Sequence, residues 1–211
     1  MSAVKVDTPA IYLVNGKCGS GKSYLVHYLV RFLWEKGHFD GGLVISSTCQ
    51  LNGEYDWLPK RRRYPYYDEA IIERLLERQQ AAKRPESLFL ILDDCLGDVK
   101  FGSKLMKKLM TQYRHFNITI FVATQFIHSV PFMLRSLANY VAVFKPNSKQ
   151  EFEALHRSYF TDFTDWRSVR AYCNRNMVED YQFVFIKHTG THSQKYQVMK
   201  APWVGMKPLK F

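Results

Sequence analysis

The chain has 211 residues, 46% of them hydrophobic and 23% charged, with thirty Lys and Arg against nineteen Asp and Glu for a net charge of +11. This is the composition of a globular chain long enough to bury a core, which excludes disordered, collagenous and membrane-embedded classes. The positive excess favours a polyanionic partner, nucleic acid ahead of an anionic membrane surface. Cys18, Cys49, Cys95 and Cys173 lie far apart with no C-x-x-C pair. That argues against a zinc site or disulfide framework and for a reducing compartment. No signal peptide is visible, and the longest apolar stretch, Tyr24–Trp34, is broken by His27 and Arg31 and too short to span a bilayer. The expectation is a soluble intracellular protein.

In chain order, Ile11–Val14 is a short apolar run entering a Gly-rich turn, the mark of a buried strand. Ser23–Lys36 follows with Leu25, Val26, Leu29, Val30, Phe32 and Leu33 at helical spacing, stopped by Gly37. Leu43–Ser46 reads as a second strand and the polar, aromatic and basic stretch 48–67 as a loop or insertion. Asp68–Ala82 has helical spacing through Ile71, Ile72, Leu75 and Leu76, with the acid near its start. Leu88–Leu92 is a buried strand, Phe101–Tyr113 a helix with Leu105 and Leu109 in the core, Ile118–Ala123 a strand, Pro131–Leu137 a short helix and Tyr140–Phe144 a strand. Beyond Lys149 the pattern gives one or two helices to about Cys173, then a strand pair, Gln182–Lys187 and Lys195–Met199. Such alternation predicts an α/β fold with a mostly parallel central sheet, helices on both faces and a small C-terminal extension. Residues 1–146 form the expected nucleotide-binding core, with 147–211 part of the same domain. Tyr12 and Phe121 read as packing residues.

Gly16-Lys17-Cys18-Gly19-Ser20-Gly21-Lys22-Ser23 fits G-x-x-x-x-G-K-[ST] without mismatch, with a strand before it and an amphipathic helix after it. Glycines let the backbone wrap and aim successive N–H groups at phosphate oxygens, and the helix start adds its positive end. Lys22 would reach the β/γ-phosphates and Ser23 would ligate Mg²⁺. Leu88–Leu92 runs into Asp93-Asp94, which puts two carboxylates at the edge where open α/β sheets hold phosphate. Asp93 would then join the Mg²⁺ shell and Asp94 would act as general base toward water. The plainer alternative is that both acids cap the following loop. Ile118–Thr124 leads to Gln125, placed to sense the γ-phosphate or orient water, or simply to leave the strand. His115 has no second ligand at metal spacing, so no metal beyond Mg²⁺ is expected.

Taken together, Gly16–Ser23, Leu88–Asp94 and Arg114-His115-Phe116-Asn117-Ile118-Thr119 running into Ala123-Thr124-Gln125 resemble the poxvirus-type viral genome-packaging ATPases of the FtsK/HerA superfamily. Ser129-Val130-Pro131, Leu134-Arg135 and Tyr140–Pro146 also have the look of that family, so the resemblance covers about Ile11–Pro146. Its specificity rests on Arg114–Gln125 and on the order and spacing of the motifs. The resemblance implies a RecA-like P-loop core and a homo-oligomeric ring. It also implies ATP-driven movement of double-stranded DNA into a preformed capsid, with a capsid or vertex protein as partner. The implied place of work is a site of virion assembly in the host cytoplasm or nucleus, or the virion itself. Carried over by motif, ATP sits on Gly16–Ser23, Mg²⁺ on Ser23 and Asp93, Asp94 activates water and Gln125 senses it. A trans arginine finger is expected, Arg114 first and Arg135 second. Asp94 departs from the family, many of whose members carry Glu there.

Lys60-Arg61-Arg62-Arg63-Tyr64-Pro65-Tyr66-Tyr67 mixes cations with aromatics, as a loop tracking a DNA backbone needs. A solvated loop or a surface packed on a neighbouring subunit gives the same pattern. The tail carries Lys187, Lys195, Lys200, Lys207 and Lys210 and no acid, suiting a DNA channel, a docking surface or a solubilising end. The alternatives to a packaging motor are a nucleoside or nucleotide kinase and a nucleotide-dependent virion assembly or export ATPase. Against the first, Lys60–Arg63 makes a poor phosphate lid. Against the second, no membrane segment supports export. Asn147-Ser148-Lys149-Gln150 does not match a guanine reader.

Overall fold

The computed structural model describes residues 6–51, 53–95, 97–188, 196–202, 205 and 207–209. Strand β1 (Ile11–Asn15) leads into α1 (Lys22–Glu35), β2 (Gly41–Ser46), the two-residue β3 (Arg63–Tyr64) and α2 (Glu69–Ala81). Then come β4 (Leu88–Asp93), α3 (Lys104–Gln112), β5 (Ile118–Thr124), α4 (Phe132–Leu137) and β6 (Tyr140–Phe144). The chain continues through α5 (Lys149–Ser158), α6 (Trp166–Asn176), β7 (Gln182–Lys187) and β8 (Tyr196–Lys200). Lys195, expected at the start of the last strand, lies outside the described residues.

Local chemistry sets the helix ends. Asp68 accepts from the Ala70 N–H to start α2, Ser148 from Glu151 to start α5, and Asp165 from Ser168 to start α6. The helix expected over 101–113 is shorter because Ser103 caps it, accepting from Met106, so Phe101 and Gly102 stay in a turn.

The strands form one eight-stranded sheet in the order β3-β2-β4-β5-β1-β6-β7-β8. Pairing is parallel from β3 to β6, and β7 and β8 are added antiparallel. The register fixes where the motifs end. Asn15 lies opposite Thr124, Asp93 opposite Ala123, and Ser46 opposite Asp93. Gly16, Asp94 and Gln125 therefore leave the sheet together at its C-terminal edge, beside one another on β1, β4 and β5.

The two faces are covered differently. Helices α2 to α6 pack on the side of Leu13, Leu90, Ile120 and Val141. On the other side, the only helix among the described residues is α1, laid over Tyr12, Val14, Phe121 and Phe185. There Tyr12 stacks between Phe121 and Tyr140, centroids 4.8 Å away on each side, and Tyr140 stacks on Phe185. Tyr12 and Phe121 are thus part of an aromatic ladder across four strands.

The segment 48–67, expected as a loop or insertion, folds partly into the core. Tyr55, Trp57 and Leu58 are fully buried beside α1, and Arg63–Tyr64 forms an edge strand on β2. Trp57 stacks on His27 of α1, centroids 4.5 Å apart, and its carbonyl accepts from the N–H of Leu209, itself buried. Burial, with the charge of Arg31, pushes the His27 imidazole down to about 4, so it packs as a neutral ring. The physical reason is area. One helix cannot cover this face of a broad sheet, and aromatic side chains from the segment, with Leu209 of the tail, close the remainder.

Candidate active site

After Asn15 the chain turns over the sheet edge, with the Gly16 N–H donating to the Thr124 carbonyl. A Cβ at Gly16 would stand 2.5 Å from Ser20 Oγ and 2.7 Å from Phe144 Cβ, so no larger residue fits without rearrangement. Gly21 holds φ +98° at the N-cap of α1, a conformation L side chains resist. The outer loop residues Lys17, Cys18 and Gly19 are exposed, whereas Lys22 is buried. Lys22 Nζ donates to the Lys17 carbonyl at 3.3 Å and stands 3.9 Å from Asp94 Oδ2. The loop therefore offers N–H groups, a helix N-terminus and one ammonium around a single hollow.

The acidic pair is divided in role by its backbone. Asp93 ends β4 and is 2% exposed, while Asp94 has φ +47° and turns off the strand with its N–H on the Ala123 carbonyl. Short Asp tolerates that left-handed geometry better than most residues. Ser23 Oγ donates to Asp93 Oδ2 at 3.1 Å, and Gln125 Nε2 donates to Asp94 Oδ2 at 3.0 Å. The structure thus gathers Lys22, Ser23, Asp93, Asp94 and Gln125, drawn from β1–α1, β4 and β5, into one network.

Tyr55 completes it, with no motif or spacing to mark it beforehand. Its hydroxyl, fully buried, donates to Asp93 Oδ2 at 2.6 Å. Burial and the Asp93 charge push the phenol far above its ordinary value, so it stays a donor. Burial also raises the Asp93 carboxyl, to about 6, with the Asp94 charge adding to the rise. The hydrogen bonds from Tyr55 and Ser23 and the charge of Lys22 act against it. Nothing but position marked Tyr55, one of thirteen tyrosines in the chain.

The residues fit Mg²⁺. Tyr55 and Ser23 both use Asp93 Oδ2, while Oδ1 is buried with no hydrogen-bond partner, as is Ser20 Oγ. A buried carboxylate oxygen without a partner beside a serine hydroxyl and a phosphate cradle suits a hard cation that draws its other ligands from phosphate and water. Among the described residues no group of three or more His, Cys, Asp and Glu could hold a metal by itself.

The two arginines are not brought to this network. Arg114 is exposed in the turn before β5, its guanidinium 5.4 Å from the Tyr113 ring. The length of β5 separates it from Gln125, about 20 Å within one chain. Arg135, on α4, donates to Ser158 Oγ at 3.4 Å, and its carbonyl accepts from Tyr159 Oη at 3.0 Å. In the basic segment, Arg63 is a brace, bound to the Leu58 carbonyl and the Asp56 carboxylate, while Lys60 and Arg61 are exposed. In the tail, Lys187 pairs with Asp7 and Lys200 with Glu179, and Lys207 accepts from Arg31 through its carbonyl. Lys195 and Lys210 lie outside the described residues.

With this geometry in place, residues 66–165 match the model of the family described as Poxvirus A32 protein. Over that segment the chain is similar to the poxvirus A32 family. The segment contains the Asp93-Asp94 strand end and the Arg114–Gln125 stretch on which the resemblance rested, while the phosphate loop Gly16–Ser23 lies outside it. Protein 075L of Invertebrate iridescent virus 6 is 28% identical over 209 residues, covering 94% of this chain and 80% of its own. Protein 015R of Frog virus 3 (isolate Goorha) is 33% identical over 144 residues, 64% of this chain and 44% of its own. Among solved structures, the genome packaging NTPase B204 of Sulfolobus turreted icosahedral virus 2, in complex with AMP, superposes with a TM-score of 0.68. The match has 16% identity and covers 93% of this chain and all of that one. The fold is the mostly parallel α/β fold of a P-loop NTPase, as the sequence led us to expect. Among the described residues no helix is long and apolar enough to cross a membrane.

Proposed function

We propose that the chain is an ATP-hydrolysing motor that moves viral double-stranded DNA into a preformed capsid, working as a homo-oligomeric ring. The observation that carries this reading is the convergence of Lys22, Ser23–Asp93 and Asp94–Gln125 at one sheet edge in a chain with a segment similar to the A32 family. The neighbouring fold belongs to a genome packaging NTPase, and the net charge of +11 suits a DNA backbone. Capsid or vertex proteins are the expected partners, and sites of virion assembly in the host cell, or the virion, the place of work.

In this reading the loop N–H groups and the N-terminus of α1 bind the phosphate chain. Lys22, between the loop and Asp94, neutralises the terminal phosphoryl group. Ser23 Oγ and Asp93 Oδ1 would hold Mg²⁺, which when bound withdraws charge from the β- and γ-phosphate oxygens. Asp94, steadied by Gln125, accepts a proton from the attacking water. The cation that stabilises the leaving charge comes from a neighbouring subunit. Arg114 is exposed at the opposite sheet edge, free to face the next protomer, whereas Arg135 is tied to Ser158. Such fingers contribute about 10³–10⁵ in rate elsewhere.

The test is ATP turnover with and without duplex DNA for wild type, Asp94→Asn and Arg114→Ala, singly and mixed. DNA should stimulate the wild type, and each variant alone should be nearly inactive while still binding nucleotide. Mixing the two should restore turnover, because Asp94→Asn subunits lend Arg114 to sites with an intact Asp94. Turnover indifferent to DNA would remove the motor reading, and inactive mixtures would remove Arg114 as the trans finger.

A further inference from the structure

Beside the phosphate loop, on the side away from Asp93, a cleft of about 500 Å³ opens at the start of α1. Gly21, Tyr24, Phe144, Tyr181, Lys200 and Ala201 line it. Gly21 belongs to both the loop and the cleft, so the cleft continues the phosphate cradle. A Cβ at Gly21 would come within 3.3 Å of Tyr181 Cδ1 and 3.7 Å of Phe144 Cε1, which measures how closely the rings approach the loop.

Tyr181 is conspicuous for a second reason. It is 59% exposed and holds φ +64°, a left-handed conformation that a bulky aromatic side chain adopts at a cost. A strained aromatic that buries little of its own surface gains nothing for the fold, and strain of this kind gathers at ligand clamps. Tyr24 opposite is fixed by its hydroxyl on the Pro202 carbonyl at 2.7 Å, and Phe144 is buried, so these two walls are rigid. Among the described lining residues the one charged side chain is Lys200, paired with Glu179, the two side chains 48% and 61% exposed.

We propose that this cleft is the base subsite of the nucleotide. It holds a purine by stacking on Tyr181 and separates adenine from guanine only weakly. The inference rests on the reading of Gly16–Ser23 as the triphosphate cradle and deepens it. The chemistry of the lining decides the selectivity. Flat carbon faces accept any purine, since stacking uses the π-face that all bases share. Strong discrimination needs buried hydrogen-bonding groups left unpaired by the wrong base. A solvent-exposed ion pair at the rim supplies little of that. Pyrimidines offer a smaller face and bind less well.

The experiment is calorimetric titration of the full chain with ATP, GTP, CTP and inorganic tripolyphosphate, for wild type, Tyr181→Ala and Tyr181→Phe. In the wild type, ATP and GTP should bind within about tenfold of each other and CTP more weakly. Tyr181→Ala should weaken both purine nucleotides by about 5- to 150-fold, the range of one lost base–aromatic stack, and Tyr181→Phe should restore them. Tripolyphosphate should bind all three proteins alike. Unchanged ATP affinity in Tyr181→Ala overturns the subsite, as does an equal loss for tripolyphosphate. An ATP preference over GTP above about a hundredfold overturns the stacking account. A wild type that binds neither tripolyphosphate nor ATP sinks the cradle reading, and the base subsite with it.

Discussion

Replacing Asp93 by Asn should make the metal-free protein more stable while destroying its activity. The carboxyl is 2% exposed, and burial pushes it up to about 6 in spite of hydrogen bonds from Tyr55 and Ser23. A tenfold change in proton affinity corresponds to about 1.4 kcal/mol, so a carboxyl at about 6 instead of near 4 costs the folded state about 3 kcal/mol at neutral pH. The sign follows from proton binding. Between pH about 4 and about 6 the folded chain holds more protons than the unfolded one, so stability falls as pH rises through this window. Above it the full penalty is present, and below it the penalty is gone. Asn keeps an oxygen for Tyr55 and Ser23 and removes the charge, but sets an amide where Oδ1 has no partner, which takes back part of the gain. For a chain of this length, about 3 kcal/mol corresponds to roughly 6–12 °C in Tm as an upper bound. Thermal unfolding of both proteins in EDTA at pH 7.5 and pH 4.5 is the assay. The amide term is the same at both pH values, so the difference between them isolates the ionisation. A variant whose advantage over the wild type is equal at pH 7.5 and pH 4.5 would refute the reasoning.

Two further outcomes follow from the segment between β2 and β3. Tyr55→Phe removes the 2.6 Å donor to Asp93, a hydrogen bond to a charged group worth about 1.5–3 kcal/mol. It should raise the Mg²⁺ concentration needed for tight nucleotide binding while leaving binding in EDTA unchanged, and an unaltered Mg²⁺ dependence would exclude a positioning role. Trp57→Ala empties a fully buried site stacked on His27 and should cost about 3–5 kcal/mol in urea unfolding, where a surface-loop tryptophan would cost almost nothing.

The sequence alone determined the parts whose signal is local. Gly16–Ser23 is legible because a phosphate cradle needs glycines, Lys and Ser at fixed offsets, and the apolar runs of β1, β4 and β5 are legible because strands buried on both faces are continuously apolar. Two acids and a Gln closing such runs could be placed at one edge from parallel pairing, and the register of Asp93 with Ala123 and Asn15 with Thr124 puts them there. Only the tertiary structure decided what sits between distant segments. Tyr55 reached Asp93, and Trp57 reached His27, because among the described residues α1 alone covers one face of the sheet and a basic, aromatic segment folded down to cover the rest. Tyr181 came beside Gly21 because β7 joined the sheet next to β6, more than 150 residues along the chain from the loop it faces. Periodicity and motif spacing report only neighbours along the chain. Which side chain fills a gap left by another element depends on the packing of the whole sheet, and no local pattern encodes it.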